Sequence, residues 1–171
     1  MTTFKTQIKY CIAFIIPVLI MSFVFSPLIK VGDKAPGFTL PTVNGSQVSL
    51  SNYKGKVVVI HIWSHTCPHC REFDKTLPSI VAPYLKSNLT YIMIDIDTDT
   101  TGWRKVIKED KLNFAIHASD PHDGAAQTAV DYDLEGTPCV NIADEKGNLI
   151  GVNITSSQLS KILKKRFPKV K

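Results

Sequence analysis

Cysteine is scarce in this chain: four among 171 residues, at positions 11, 67, 70 and 139. That is too few, and too unevenly spaced, for a disulfide scaffold. No second Cys-x-x-Cys accompanies Cys67-Pro68-His69-Cys70, whereas a structural zinc site needs four ligands. His65, His69, His117 and His122 could in principle supply further ligands, but the pair reads as redox chemistry with no metal. Charge of one sign is also modest. The net charge is +5, and Lys5, Lys9 and Lys30 supply three of those units, so the remainder gives no sign of nucleic-acid binding. Internal repeats and low-complexity segments are absent, which leaves one ordinary domain plus a tail. Asp95-x-Asp97-x-Asp99 has Thr100 and Val106 where a calcium loop wants Gly and Glu. These acids are expected to end a strand at the site-facing edge of a sheet.

One long uncharged run is present. Tyr10 to Ile29 carries no charge, with Lys5 and Lys9 ahead of it and Lys30 behind, and about twenty apolar residues cross a bilayer as a helix. A cleaved signal peptide is the competing reading, but the small-x-small pattern is poor and Pro27 follows Ser26. An uncleaved signal anchor is expected. Leading lysines put the N-terminus inside. The expected map is a cytoplasmic segment 1–9, a transmembrane anchor 10–29 and a domain 31–171 outside the inner (cytoplasmic) membrane, facing the periplasm or its equivalent.

The rest of the chain serves Trp63-Ser64-His65-Thr66-Cys67-Pro68-His69-Cys70. Before it, Val57 to Trp63 is too uniformly apolar for a half-exposed strand and fits a central strand covered on both faces. After it, a helix over about 68–84 carries Phe73, Leu77, Ile80, Val81 and Tyr84 at helical spacing, and Pro78 and Pro83 are expected to bend or break it. Further strands are expected over 91–96, parallel to the first, and over 114–117. Helices are expected over 101–111, 125–133 and 157–167, the last amphipathic through Leu159, Ile162, Leu163 and Phe167. Two hairpins are expected: 38–40 with 47–50 about Asn44-Gly45, and 139–143 with 149–153 about 144–148. Residues 31–37 read as a linker.

A thiol at a helix N-terminus is stabilised as thiolate by unpaired backbone N–H groups and the helix dipole. Cys67 is therefore the expected nucleophile, and Cys70, one turn further in, the resolving thiol that attacks a mixed disulfide on Cys67. His69 can donate to the Cys67 thiolate or place positive charge beside it, stabilising the reduced form. His61, six residues before Cys67, has a neutral imidazole suited to moving the Cys70 proton, with a satisfied core histidine as the alternative.

The strand, Trp63, Cys67-Pro68-His69-Cys70 and helix resemble the thioredoxin superfamily. Val31-Gly32-Asp33-Lys34-Ala35-Pro36-Gly37-Phe38-Thr39-Leu40, Gly45-Ser46-Gln47-Val48-Ser49-Leu50 and Lys54-Gly55-Lys56 are similar to the N-terminal extension of its membrane-anchored TlpA/ResA-like branch, of AhpC/TSA-redoxin type. Gly136-Thr137-Pro138 with Cys139 to Asp144 resembles that branch's cis-proline loop and following strand. The peroxiredoxin Pro-x-x-x-Thr-x-x-Cys signature is absent around Cys67.

The resemblance implies an α/β thioredoxin fold, a central mixed β-sheet flanked by helices, with an N-terminal β-hairpin extension and one transmembrane helix. It implies Thr137 and Pro138 beside the cysteine pair as a substrate-strand contact, with Trp63 lining the same site. ResA-like proteins use a glutamate shortly after the motif; Glu72 is the nearest here, offset by one, and its role is not carried over. Cys139 reads as a small buried hydrophobe.

The expected activity is extracytoplasmic thiol–disulfide exchange with exported proteins, as a reductase serving cytochrome c maturation. The only redox group is the Cys67–Cys70 disulfide, and a membrane redox partner recycles it. Cys-Pro-His-Cys also occurs in DsbA-type oxidases, whose potential lies roughly 150 mV above thioredoxin's, so a disulfide-donating oxidase is the alternative. A metallochaperone using the cysteine pair is the alternative of another class.

Overall fold

The computed structural model describes residues 28–121 and 126–170. The expected anchor over 10–29 lies outside them except for its last two residues; among the described residues no helix is long and apolar enough to cross a membrane.

The apolar run over 57–63 forms strand β3 (Val57–Trp63), buried at every position. Its alternation splits the core. Val57, Val59 and Trp63 face one apolar cluster, while Val58, Ile60 and Ile62 face the other, as the two-residue side-chain period of a strand requires. β3 lies at the centre of a five-stranded mixed sheet. It pairs in parallel with β4 (Leu89–Asp95) and antiparallel with β6 (Cys139–Ala143), while β5 (Ile116–Ser119) and β7 (Leu149–Gly151) form the edges. Strands β1 (Thr39–Pro41) and β2 (Gln47–Ser49) form a separate antiparallel hairpin. Gly45 turns it at φ 82°, a backbone setting that favours glycine. The hairpin buries Leu40 and Val48 over the second cluster and is tied to the β5 edge by a Thr42–Ala118 bridge.

The first cluster is covered by helices. α1 (Pro68–Asp74) and α2 (Leu77–Val81) replace the single helix of the sequence pattern, followed by a 3-10 turn at Ala82–Tyr84. The break has a local cause: Pro78 has no N–H for the Asp74 carbonyl, and its ring crowds that carbonyl. α3 (Trp103–Glu109) and α5 (Ser156–Arg166) complete the layer, and α5 is closed at its start by a capping box between Thr155 and Gln158. α4 (Gln127–Asp131) is short; the Asp120 carboxylate accepts from the Thr128 N–H and hydroxyl at 2.8 and 2.9 Å.

Two expectations shift. The strand read at 114–117 begins at Ile116, because Ala115 is still held in a turn by its bond to the Leu112 carbonyl, 3.0 Å. The segment read as a linker runs along the β6–β7 hairpin instead: Gly32 N–H to Leu149 O at 2.8 Å, Leu149 N–H to Asp33 O at 2.8 Å, and Ala35 N–H to Gly147 O at 3.0 Å.

Candidate active site

β3 delivers the chain into a turn, 64–66, that is fastened from below. Asp97 accepts from the Ser64 hydroxyl (3.0 Å), the Thr66 N–H (3.2 Å) and the Thr66 hydroxyl (3.1 Å). His65 Nδ1 lies 2.7 Å from Asp95 and 2.9 Å from Asp97. Asp95 ends β4 and is fully buried. Its carboxyl is pushed up by burial, against the Asp97 N–H and His65. These three residues are the one group among the described residues whose ligand atoms gather closely enough for a metal ion. Their spacings are those of hydrogen bonds. On the other side, Arg71 makes a two-pronged contact to Asp110 at 2.7 and 2.8 Å, which ties α1 to the end of α3.

Held this way, Cys67 is the N-cap of α1, and its sulfur accepts from the Cys70 N–H at 3.4 Å. Its thiol also approaches the Thr137 carbonyl at 3.9 Å, beside the cis Thr137–Pro138 bond. Both cysteines are free thiols, Cys67 half-buried and Cys70 fully buried. Their acidities separate. For Cys67 burial opposes ionisation, but hydrogen bonds from the Cys70 N–H, the Cys70 thiol, Thr137 and the His69 N–H outweigh it, and the thiol is lowered. For Cys70 burial dominates and pushes the thiol up to about 12.

Beneath the pair lies a second buried group. Cys70 and Asp74 are four residues apart on α1 and so share a face; both are fully buried. Burial, with the negative charges of Asp110 and Cys67, raises the Asp74 carboxyl to about 8. His61 Nε2 is 3.6 Å from Asp74, beyond hydrogen-bonding reach, and neither this nitrogen nor either Asp74 oxygen has a hydrogen-bond partner among the described residues. Its Nδ1 meets the Tyr91 hydroxyl at 3.3 Å. Burial, aided by His117, lowers His61 to about 3. At neutral pH this is an imidazole beside a largely protonated carboxyl, not an ion pair.

The structure thus brings Cys67, Cys70, Thr137 and Pro138 together, with His61 one layer down. His69 is exposed, and its recorded contribution to Cys67 is its backbone N–H. One expectation is corrected. Trp63 is fully buried in the core, its ring 6.4 Å from that of His117; facing inward from β3, it supports the turn from behind and does not line a substrate surface. Glu72 is exposed, and the acid beneath the pair is Asp74. The signal for Asp74 was its four-residue spacing from Cys70. The signal for His65 was its position at the end of a buried strand, within reach of acids ending the next one.

The sequence profile of the AhpC/TSA family matches residues 31–157. The thiol-disulfide oxidoreductase ResA of Bacillus thuringiensis subsp. konkukian is 23% identical over 142 residues, covering 81% of this chain and 80% of that protein. The thioredoxin-like protein YneN of Bacillus subtilis is 26% identical over 129 residues, covering 74% and 72%. Among solved structures, the thioredoxin domain of a thiol-disulfide oxidoreductase from Bacteroides vulgatus superposes with a TM-score of 0.74. That match has 24% identity and covers 81% of this chain and 98% of that one.

Proposed function

Because the chain belongs to the AhpC/TSA family, as a ResA-like member of the thioredoxin superfamily, we propose that it is a protein thiol–disulfide oxidoreductase working through Cys67 and Cys70. The reading rests on one observation above all: two thiols one helical turn apart, the outer one made acidic and the inner one buried and pushed up to about 12. In the reducing direction, the Cys67 thiolate attacks one sulfur of a substrate disulfide, forming a mixed disulfide and expelling the other as thiolate. In the molecules whose Asp74 has lost its own proton, a fraction that grows as pH rises toward 8, Cys70 then gives its proton to the Asp74 carboxylate and attacks the Cys67 sulfur. The second substrate thiolate leaves, and the Cys67–Cys70 disulfide remains. Two electrons from a thiol partner restore the pair.

An acceptor works best when its pKa is near the operating pH. Asp74, at about 8, meets that condition; His61, at about 3, is too weak a base and serves as its neighbour. The Thr137 backbone beside Cys67 supplies the rail for an extended substrate segment. The uncharged run before Lys30 supports a membrane anchor, with the domain outside the cytoplasm, a membrane partner recycling the pair and exported thiol proteins such as apocytochromes as substrates. The ResA-like resemblance implies the reducing direction; Cys-Pro-His-Cys keeps the oxidase reading alive for test.

The test is a trap. With Cys70→Ala, a disulfide substrate is expected to stay covalently attached through Cys67, and Cys67→Ala is expected to capture nothing. In the wild type Cys67 should alkylate near neutral pH far faster than Cys70. Capture through Cys70, or equal alkylation rates, overturns the assigned roles.

A further inference from the structure

We propose that the cavity at the end of the sheet remote from Cys67 receives the phosphate of an anionic phospholipid head group, so that the domain stands on the membrane with its thiols pointed away. The proposal rests on the membrane anchor argued above. The cavity has a volume of about 510 Å³ and is rimmed by Lys34, Lys54, Lys56 and Lys146 over a floor that includes Leu50, Val58 and Ala143. Asp144 is the one carboxylate lining it, and one of its oxygens already accepts from the N–H groups of Lys146 and Asn148 at 2.9 Å each. Two of the four lysines have other partners. Lys34 Nζ donates to the Lys146 carbonyl at 2.7 Å, and Lys56 stands 5.9 Å over the Tyr53 ring. The ion pairs recorded among the described residues lie elsewhere. Positive charge converging over an apolar floor attracts a phosphate carrying an apolar body.

Position selects a lipid. Lys34 both rims the cavity and belongs to the segment fixed along the β6–β7 hairpin by its bridge to Asn148. The uncharged run ends at Ile29, five residues earlier, so even a fully extended chain keeps its end within about 18 Å of Lys34. Leu28 and Val31 on this approach are 66% and 62% exposed. Phosphates of a bilayer lie at the level where a span ends, and juxtamembrane lysines are drawn to anionic ones. Val58 lines the cavity and Trp63 leads into the active-site turn; that length of strand is about 16 Å, which puts the two sites at opposite ends of β3.

The experiment places the full chain in nanodiscs of phosphatidylcholine, with and without phosphatidylglycerol. Acylation of individual lysines is read by mass spectrometry, with Lys105, 78% exposed on α3, as internal control. Lys34, Lys54, Lys56 and Lys146 are expected to react severalfold more slowly with phosphatidylglycerol present, Lys105 equally in both. Added salt should erase the difference, as should the Lys54→Gln/Lys56→Gln pair, without loss of disulfide-reducing activity. Equal reactivity in the two nanodiscs overturns the proposal while the anchor stands. Inorganic phosphate giving the same protection in phosphatidylcholine alone also overturns it, in favour of a soluble phosphate site. Protein that elutes apart from both nanodiscs overturns the anchor, and the proposal with it.

Discussion

Asp74 and His61 carry opposite shifts, and their signs make a testable pair. The Asp74 carboxyl rises from 3.8 to about 8. The folded chain therefore keeps a proton that the unfolded chain has lost, and the resulting stability is complete below about pH 4 and is lost as pH rises through 8. The His61 imidazole falls from 6.5 to about 3. Its contribution is present above pH 6.5 and is lost as pH falls through 3. Between about pH 4 and 6.5 the two slopes cancel, and from 6.5 to 8 His61 no longer opposes the Asp74 slope. Each pH unit of full linkage is worth about 1.4 kcal/mol, so the reduced wild type should lose up to about 2 kcal/mol over that interval. Asp74→Asn should not, and should also slow resolution of the mixed disulfide. Urea denaturation at closely spaced pH values decides it; parallel curves for the two proteins would mean that Asp74 is ionised throughout and does not hold the Cys70 proton. Little of this was legible from the sequence. Cys67, Cys70 and the Thr137-Pro138 pair announce themselves by local spacing, but the worth of His61, Asp74 and His65 depends on what α1 and β4 bury around them, and burial is a property of the packed layers.

Elements were legible in proportion to how far local pattern fixed them. β3 is central, so its uninterrupted apolar run had one reading, and the helix break follows from the geometry of Pro78. β5 is a four-residue edge strand (Ile116–Ser119) beginning with a half-buried residue. It slipped by two positions because its start is set by the preceding turn and by pairing with β4, not by its own alternation. The pinning of 32–35 along the β6–β7 hairpin left no local signature, since its bonds join backbone groups far apart in sequence. A similar long-range constraint sits at Gly151, the last residue of β7. A Cβ there would lie 2.8 Å from Ile142 Cγ2, 3.0 Å from Ile154 Cγ2 and 3.1 Å from Ile162 Cδ1. The glycine is required by the close approach of β6 and α5, and φ plays no part. Gly151→Ala should cost about 1–3 kcal/mol by overpacking, read as a lower urea midpoint at unchanged slope. Ile162→Val in the same chain should recover part of the loss by removing the Cδ1 contact; no recovery would mean that the backbone, not the side chain, fails to yield.

At the scale of the whole molecule, the redox potential is a stability difference. A thermodynamic cycle links the potential of the folded pair to that of the unfolded pair through the unfolding free energies of the disulfide and dithiol forms, and 30 mV corresponds to about 1.4 kcal/mol for two electrons. Whatever stabilises the folded dithiol therefore makes the disulfide more oxidising. The donors that lower the Cys67 thiol are, largest first, the Cys70 N–H, the Cys70 thiol, Thr137 and the His69 N–H. The two N–H groups are main-chain groups placed by the start of α1, and any residue at position 69 supplies the second. Because Cys67 is lowered from 9.0, its contribution to the stability of the dithiol form is complete above about pH 9 and is lost as pH falls through the folded thiol's value. Reduced and oxidised protein should accordingly converge in stability toward acid pH. With the His69 side chain exposed, His69→Ala keeps the N–H and removes only the imidazole, and it should move the potential by less than about 30 mV. Equilibration against glutathione, wild type alongside variant, measures this directly. A variant more negative by well over that amount would return the tuning to the imidazole's charge and with it the physical ground for an oxidase. A near-unchanged variant leaves the potential to the fold, where a wild-type value close to thioredoxin's marks a reductase.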